Sequence, residues 1–163
     1  MTVRLWTRRR RTPAVWAGLA AGAAGTTALN AVTYLDMAVL GRPTSTTPED
    51  TVAKAEGLAG ISLGEDQETA GNRRSGIGAL LGIGAGLGTG VAYALAHPAL
   101  RGLPPPVRGV VAGLAATVGS TAPMTALGVT DPRTWPASSW LRDLVPHLAY
   151  GLVTAAVYEA LRR

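Results

Sequence analysis

Two ionisable side chains in apolar segments of this sequence are the residues best suited to chemistry. Asp36 follows a polar series that includes Asn30 and Thr33, and His147 directly follows Pro146. A carboxylate inside a bilayer costs roughly 2.5–3.5 kcal/mol, so it tends to face other helices or a cavity. An imidazole titrates near neutral pH and can carry a proton or bind a metal. A contact between the two side chains could relay protons, or it could simply join two helices.

A second polar series has the spacing of one helix face. Thr117, Thr121 and Thr125 are four residues apart, and Ser120 lies alongside them. Such hydroxyls can bond to carbonyls of their own helix or to another helix, at about 0.6 kcal/mol for each contact between helices. The candidate intramembrane polar site therefore comprises Asn30, Thr33, Asp36, Thr117, Thr121 and His147.

Each of these residues also has a simpler interpretation. Asp36 could lie at the wetted end of its segment or pair with Arg42, and the threonines could serve only helix packing. Glu159 lies near Arg162 and Arg163, which is typical of a solvated terminal acid. The two histidines are far apart in sequence and lack metal-ligand spacing, so we predict no metal and no cofactor.

Motifs for enzymatic chemistry are missing from the sequence. There is no cysteine, and neither Ser120 nor Ser139 lies in a G-x-S-x-G context. The only lysine, Lys54, is not part of a phosphate-binding loop, and the G-x-G-x-x-G spacing fails because Leu87 and Thr89 occupy the required glycine positions. We therefore predict a protein without enzymatic activity and without nucleotide binding.

The segment from Ser75 to His97 contains no charged residue, and glycine recurs through it every four positions. Each glycine inside a helix costs roughly 1 kcal/mol in water relative to alanine. A bilayer requires the backbone to satisfy its own hydrogen bonds, and there small residues let a second helix approach closely. A further row holds Gly76, Gly84 and Gly88. The predicted helix-packing residues are Gly18, Gly22, Gly78, Gly82, Gly86 and Gly90.

Four apolar segments are long enough to cross a membrane. We predict an all-α, four-transmembrane-helix bundle that forms one domain over residues 1–163, with spans near 14–40, 75–97, 107–128 and 139–161. The arginines of residues 8–11 before an apolar segment resemble a signal peptide, but apolar character continues to Leu40, which favours a retained first span.

The polar loop over residues 41–74 separates the first two spans. Thr47 and Pro48 predict the start of a short amphipathic helix on the membrane surface, where an apolar face comprises Val52, Ala55, Leu58 and Ala59. Residues 64–72 have the composition of a flexible acidic loop.

Charge decides between nucleic-acid and membrane surfaces as partners. The net charge is +5, but the basic residues lie in tails and loops between apolar spans, so we predict no nucleic-acid binding. With four spans, the two tails and the second loop hold nine Lys or Arg, whereas the other two loops hold six. This excess predicts a bacterial cytoplasmic (inner) membrane protein with both termini cytoplasmic.

Three stretches carry a family resemblance: residues 25–37, residues 128–135 and residues 146–151. They resemble the corresponding parts of small actinobacterial four-span integral membrane proteins of unassigned function. The resemblance implies an inner-membrane location and four spans, and these proteins have no known activity to carry over. The sequence thus predicts a structural or partner-binding bundle whose partner is a second copy or another membrane protein. The alternative is a small proton-linked transporter or channel that uses Asp36 and His147.

Overall fold

The computed structural model describes residues 12–163 and is all-helical over that range, which confirms the predicted fold class. The α-helices are α1 (Ala14–Leu40), α2 (Thr47–Ala59), α3 (Gln67–Leu100), α4 (Pro105–Ala126) and α5 (Ala137–Arg162), and a 3₁₀ turn covers Pro132–Thr134. Four of them, α1, α3, α4 and α5, are long and apolar enough to cross a membrane. The basic residues 8–11 lie outside the described part of the chain.

Proline and glycine set most helix ends. Helices α1, α4 and α5 each begin directly after a proline, and α2 carries a proline in its first turn. Proline suits these positions because its missing N–H would have no partner in the first turn. Helices α1 and α2 end at Gly41 and Gly60, whose φ angles of 62° and 64° belong to the left-handed region.

The four long helices are arranged in the order α3, α1, α5, α4. Helix α1 packs against both α3 and α5, and α5 also packs against α4, whereas α3 and α4 share a smaller contact. We call the end where α1 begins and α5 finishes the terminal end, and the opposite end the α2 end. Because α3 and α4 are the outer members, each has a side that no other helix covers.

Helix α3 is longer than predicted. It begins at Gln67, where the carboxylate of Asp66 accepts a hydrogen bond from the Thr69 N–H at 2.8 Å, and it continues through Pro98 to Leu100. Residues 67–72 are therefore helical instead of a flexible acidic loop, which corrects the predicted polar loop over 41–74. At 1.5 Å per residue, its 34 residues span roughly 51 Å, against a bilayer core of about 30 Å. The charged residues Glu68, Arg73 and Arg74 lie in the first turns of α3, so these turns project beyond its apolar segment.

Helix α2 packs on this projecting part of α3. Its buried residues are Val52 and Glu56, whereas Leu58 is 69% exposed. The Glu56 carboxylate accepts from the Arg74 guanidinium at 2.7 Å and from the Leu63 N–H at 2.8 Å. The predicted amphipathic helix is present, but its buried face is different: an acid lies on the buried face because the partner surface carries an arginine.

We expect the docking of α2 to weaken in acid. The hydrogen bond from Arg74 and that from the Leu63 N–H hold the pKa of Glu56 below its ordinary value of 4.5. A carboxyl group whose pKa falls on folding stabilises the folded state above its unfolded pKa and loses that contribution as pH drops through the folded pKa. The protection of the α2 amides from hydrogen exchange, relative to an unstructured chain at the same pH, should therefore fall below about pH 4.5.

The matched control for this experiment is Glu56→Gln. This variant lacks the ionised partner, so the protection of its α2 amides should already be lower at pH 7 and should change little on acidification. The interpretation fails if the wild type and the variant have the same pH dependence.

Candidate functional site at the helix interfaces

The backbones of α1 and α3 approach each other closely. A Cβ atom added to Gly22 would lie 2.6 Å from the carbonyl oxygen of Gly86, and one added to Gly18 would lie 2.8 Å from that of Gly90. Both distances are to backbone, which cannot move aside as a side chain can. The structure therefore brings four of the six predicted packing glycines together: Gly18, Gly22, Gly86 and Gly90.

The other two predicted packing glycines lie elsewhere. Gly78 faces α2, where an added Cβ would lie 3.0 Å from Pro48 Cβ, and Gly82 has no atom within 4 Å of such a Cβ. A step of four residues turns a helix by 400°, so the row drifts by about 40° for each step. The row from Gly78 to Gly90 therefore winds away from α1 instead of forming one surface.

Helix α5 crosses α1 with three hydroxyl groups that sequence reasoning missed. The hydroxyl of Tyr150 donates to the Gly86 carbonyl at 2.7 Å, and that of Tyr158 donates to the Ala94 carbonyl at 3.4 Å. Between them, buried Thr154 donates to the Ala21 carbonyl at 3.4 Å. Their spacing of four residues places them on one helix face, and this is the sequence signal that could have predicted a shared interface.

At the α2 end, Asp36 forms an ion pair with Arg42 and not with His147. This is the simpler of the two predicted arrangements. Asn30 and Thr33 are half-buried, and no hydrogen bond to either side chain is found within residues 12–163. A cleft of about 150 Å³ between α1 and α5 is lined by Asp36 and Arg142. Its remaining lining is mostly apolar.

The threonines of α4 bond within their own helix. Thr117 is buried and donates to the Gly113 carbonyl at 3.3 Å, and Thr125 donates to the Thr121 carbonyl at 2.9 Å. No contact joins Thr117 or Thr121 to Asn30 among the described residues. The predicted polar site therefore divides between the α1 side and the α4 side of α5.

His147 lies on the α4 side of α5. Its Nε2 is 3.2 Å from Ser120 Oγ, and its Nδ1 is 2.7 Å from the carbonyl oxygen of Asp143 and 3.5 Å from that residue's carboxylate. Sequence reasoning missed Asp143, although its spacing of four residues from His147 places both on one helix face. The helices are close here because an added Cβ at Gly113 would lie 2.7 Å from the His147 carbonyl oxygen.

At the terminal end, Glu159 binds Arg108 of α4 at 2.7 Å, and the side chains of these residues are only 16% and 14% exposed. Glu159 is therefore not the solvated partner of Arg162 and Arg163 that its sequence position predicts. Arg162 donates instead to the Thr12 carbonyl at 2.6 Å. His97 Nε2 lies 3.4 Å from the Arg108 guanidinium, so α3, α4 and α5 meet at this pair.

These contacts define a class of protein: a bundle of four apolar helices in which several polar side chains connect one helix to another. Among the described residues, no group of three or more His, Cys, Asp or Glu has the arrangement of a metal site. The chain belongs to a family of unknown function, DUF6789, whose model matches residues 12–163. The comparisons with curated proteins and with solved structures find no match.

Proposed function

We propose that this protein is a non-enzymatic component of the bacterial cytoplasmic membrane that acts by binding a second copy of itself through α3. The observation that carries the proposal is the uncovered side of α3. Added Cβ atoms at Gly84 and Gly88 would meet no atom within 4 Å, and Leu81 and Leu95 beside them are 55% and 67% exposed.

The polar groups support a structural role because they are used inside the bundle. Glu159 of α5 pairs with Arg108 of α4, and Tyr150 of α5 donates to a backbone carbonyl of α3. Polar contacts of this kind connect membrane helices, because lipid offers no other partners. The uncovered sides of α3 and α4 are then left for an outside partner, and of these two the α3 side carries the pair Gly84 and Gly88.

Two properties of that surface favour a second copy. Gly84 and Gly88 have the four-residue spacing that lets two helix backbones approach closely. The surface carries no charge from Ser75 to His97, so two identical faces can meet without repulsion. A symmetric pair needs only one patch that can meet its own copy, and small, uncharged residues on this face support such a pair. Both termini lie in the cytoplasm in this proposal, as the excess of arginine in the tails and second loop favours.

Cysteine cross-linking in native membranes tests the proposal, since the chain has no cysteine of its own. Gly84→Cys should give a disulfide-linked dimer under mild oxidation. Gly119→Cys is the matched control, because Gly119 on α4 also has open space around it. Equal dimer yields from the two positions, or none from Gly84→Cys, would overturn the proposal. Gly88→Leu added to Gly84→Cys should abolish the dimer while the bundle stays folded.

The second candidate function is proton-linked transport, and the cleft beside Asp36 is the observation that favours it. Asp36 and Arg142 line this cleft together with apolar residues of α1 and α5. If transport is the function, proteoliposomes should show a proton-linked flux that Asp36→Asn abolishes without loss of folding. A dimer that forms without any such flux favours the first proposal.

A further inference from the structure

The cleft between α1 and α5 at the α2 end changes from charged to apolar along its length. Its outer rim carries Asp36 of α1 and Arg142 of α5. Val32 and Val145, which also line the cleft, lie about one helical turn closer to the middle of the same two helices. A ligand that fits both parts is therefore charged at one end and apolar at the other.

The charges at the rim do not cancel. Asp36 is paired with Arg42, so its carboxylate already has a counter-charge. Arg142 is exposed, and its guanidinium makes no ion pair or hydrogen bond with any residue between 12 and 163. The neighbouring Asp143 carboxylate lies toward His147, and one of its oxygens is buried without a hydrogen-bond partner in the described range. The rim thus has one positive charge in excess, on Arg142.

The position of the rim along the helices matches the headgroup region of a bilayer. Asp36 lies nine residues from Thr27, the middle of α1, which is roughly 14 Å at 1.5 Å per residue. Half of the hydrocarbon core is about 15 Å thick. Tyr34 on α1 and Trp140 on α5 lie at nearly the same level and are 61% and 38% exposed. Exposed aromatic side chains of these two types are typical of the membrane–water interface.

The size of the cleft limits how much of a ligand can enter it. Its volume is about 150 Å³, and a cavity of about that size holds a group as large as benzene. The rest of the ligand must lie outside, beside Leu141 and Val145, which are 61% and 49% exposed on α5. A phospholipid meets this requirement, because its acyl chains remain in the bilayer.

We propose that this cleft binds one anionic phospholipid, with the phosphate on Arg142 and the adjoining apolar part along Val32 and Val145. A guanidinium can donate two parallel hydrogen bonds to a phosphate. Because Asp36 is already paired, no carboxylate is left for the ammonium group of a zwitterionic lipid, so phosphatidylglycerol is favoured over phosphatidylethanolamine. The proposal does not rest on the dimer through α3, since the cleft lies within one chain.

The test is native mass spectrometry of the full-length protein in micelles to which a single lipid is added stepwise. Phosphatidylglycerol should bind more tightly than phosphatidylethanolamine with the same acyl chains. Arg142→Gln should weaken phosphatidylglycerol binding about tenfold, the effect of losing one charge-assisted hydrogen bond. Arg133→Gln is the matched control, because it removes an arginine that is 88% exposed at the same end but bound to Asp131. This control should bind the lipid like the wild type.

Three results would overturn the proposal. One is equal affinity of Arg142→Gln and Arg133→Gln for phosphatidylglycerol. Another is equal affinity of the wild type for the two lipids, which needs no variant to fold. The third is displacement of the lipid by glycerol phosphate, because that result would identify a site for a free phosphate. Cross-linking through Gly84→Cys and the flux test with Asp36→Asn are separate measurements, so lipid binding can fail while either proposed function stands.

Discussion

The variant Gly22→Val should separate α1 from α3. It should lower the free energy of unfolding by about 3 kcal/mol, the upper part of the range for an overpacked core. The reason is that a Cβ at Gly22 would lie 2.6 Å from the Gly86 carbonyl oxygen and 3.2 Å from Gly90 Cα, and both are backbone atoms. The helices can make room only by moving apart, which also draws the Gly86 carbonyl away from Tyr150. Equilibrium unfolding in mixed micelles measures the change.

Gly82→Val is the matched control for this experiment. It places the same side chain on α3, at a position where an added Cβ meets nothing within 4 Å. Its effect should be limited to the helix propensity difference, a few tenths of a kcal/mol. Equal losses at the two positions would show that backbone contact does not hold α1 and α3 together.

Removing the guanidinium of Arg108 should have a similarly large effect. In Arg108→Met the Glu159 carboxylate keeps its buried position but loses its partner, and breaking a buried pair in this way costs roughly 3–5 kcal/mol. The double variant Arg108→Met/Glu159→Met replaces both charges by apolar groups and should recover most of that loss. The free energies of unfolding of the wild type, Arg108→Met, Glu159→Met and the double variant together give the coupling energy between the two side chains.

Arg133→Met provides the comparison for an exposed pair. Arg133 binds Asp131, but its side chain is 88% exposed, so the free energy of unfolding should stay near the wild-type value. If Arg108→Met is as mild as Arg133→Met, the pair at the terminal end does not join the helices. If the double variant is no more stable than Arg108→Met, the loss comes from packing and not from the unpaired charge.

The sequence was most informative about which segments are helical and least informative about which faces meet. Lack of charge and a four-residue glycine period predict a membrane helix, and they also suggest close packing. The 40° drift at each step is a property of the helix itself. The position of α1 determines which glycines of this row contact it, and that position is set by tertiary packing. The row comprises Gly78, Gly82, Gly86 and Gly90.

The polar residues show the same limit. Glu159 has two arginines close in sequence, yet it binds Arg108, because α4 and α5 lie side by side. Asp36 and His147 have suitable chemistry for a pair, but they lie on different sides of α5. The local partner Arg42 was predicted because it follows Asp36 closely, whereas Asp143 was missed although it precedes His147 by one helical turn.

The arrangement of the helices also has a consequence for biosynthesis. Of the four long helices described, α1 leaves the ribosome before the others, yet it packs against both α3 and α5, and α5 is made after the other three. The side of α1 that includes Gly25, which faces Tyr150 and Thr154, is therefore in contact with lipid or an insertion factor until α5 is inserted. Because α4 also has its main contact with α5, the insertion of α5 completes two interfaces, one with α1 and one with α4. A nascent chain that stops before α5 would leave both helices without their principal partner.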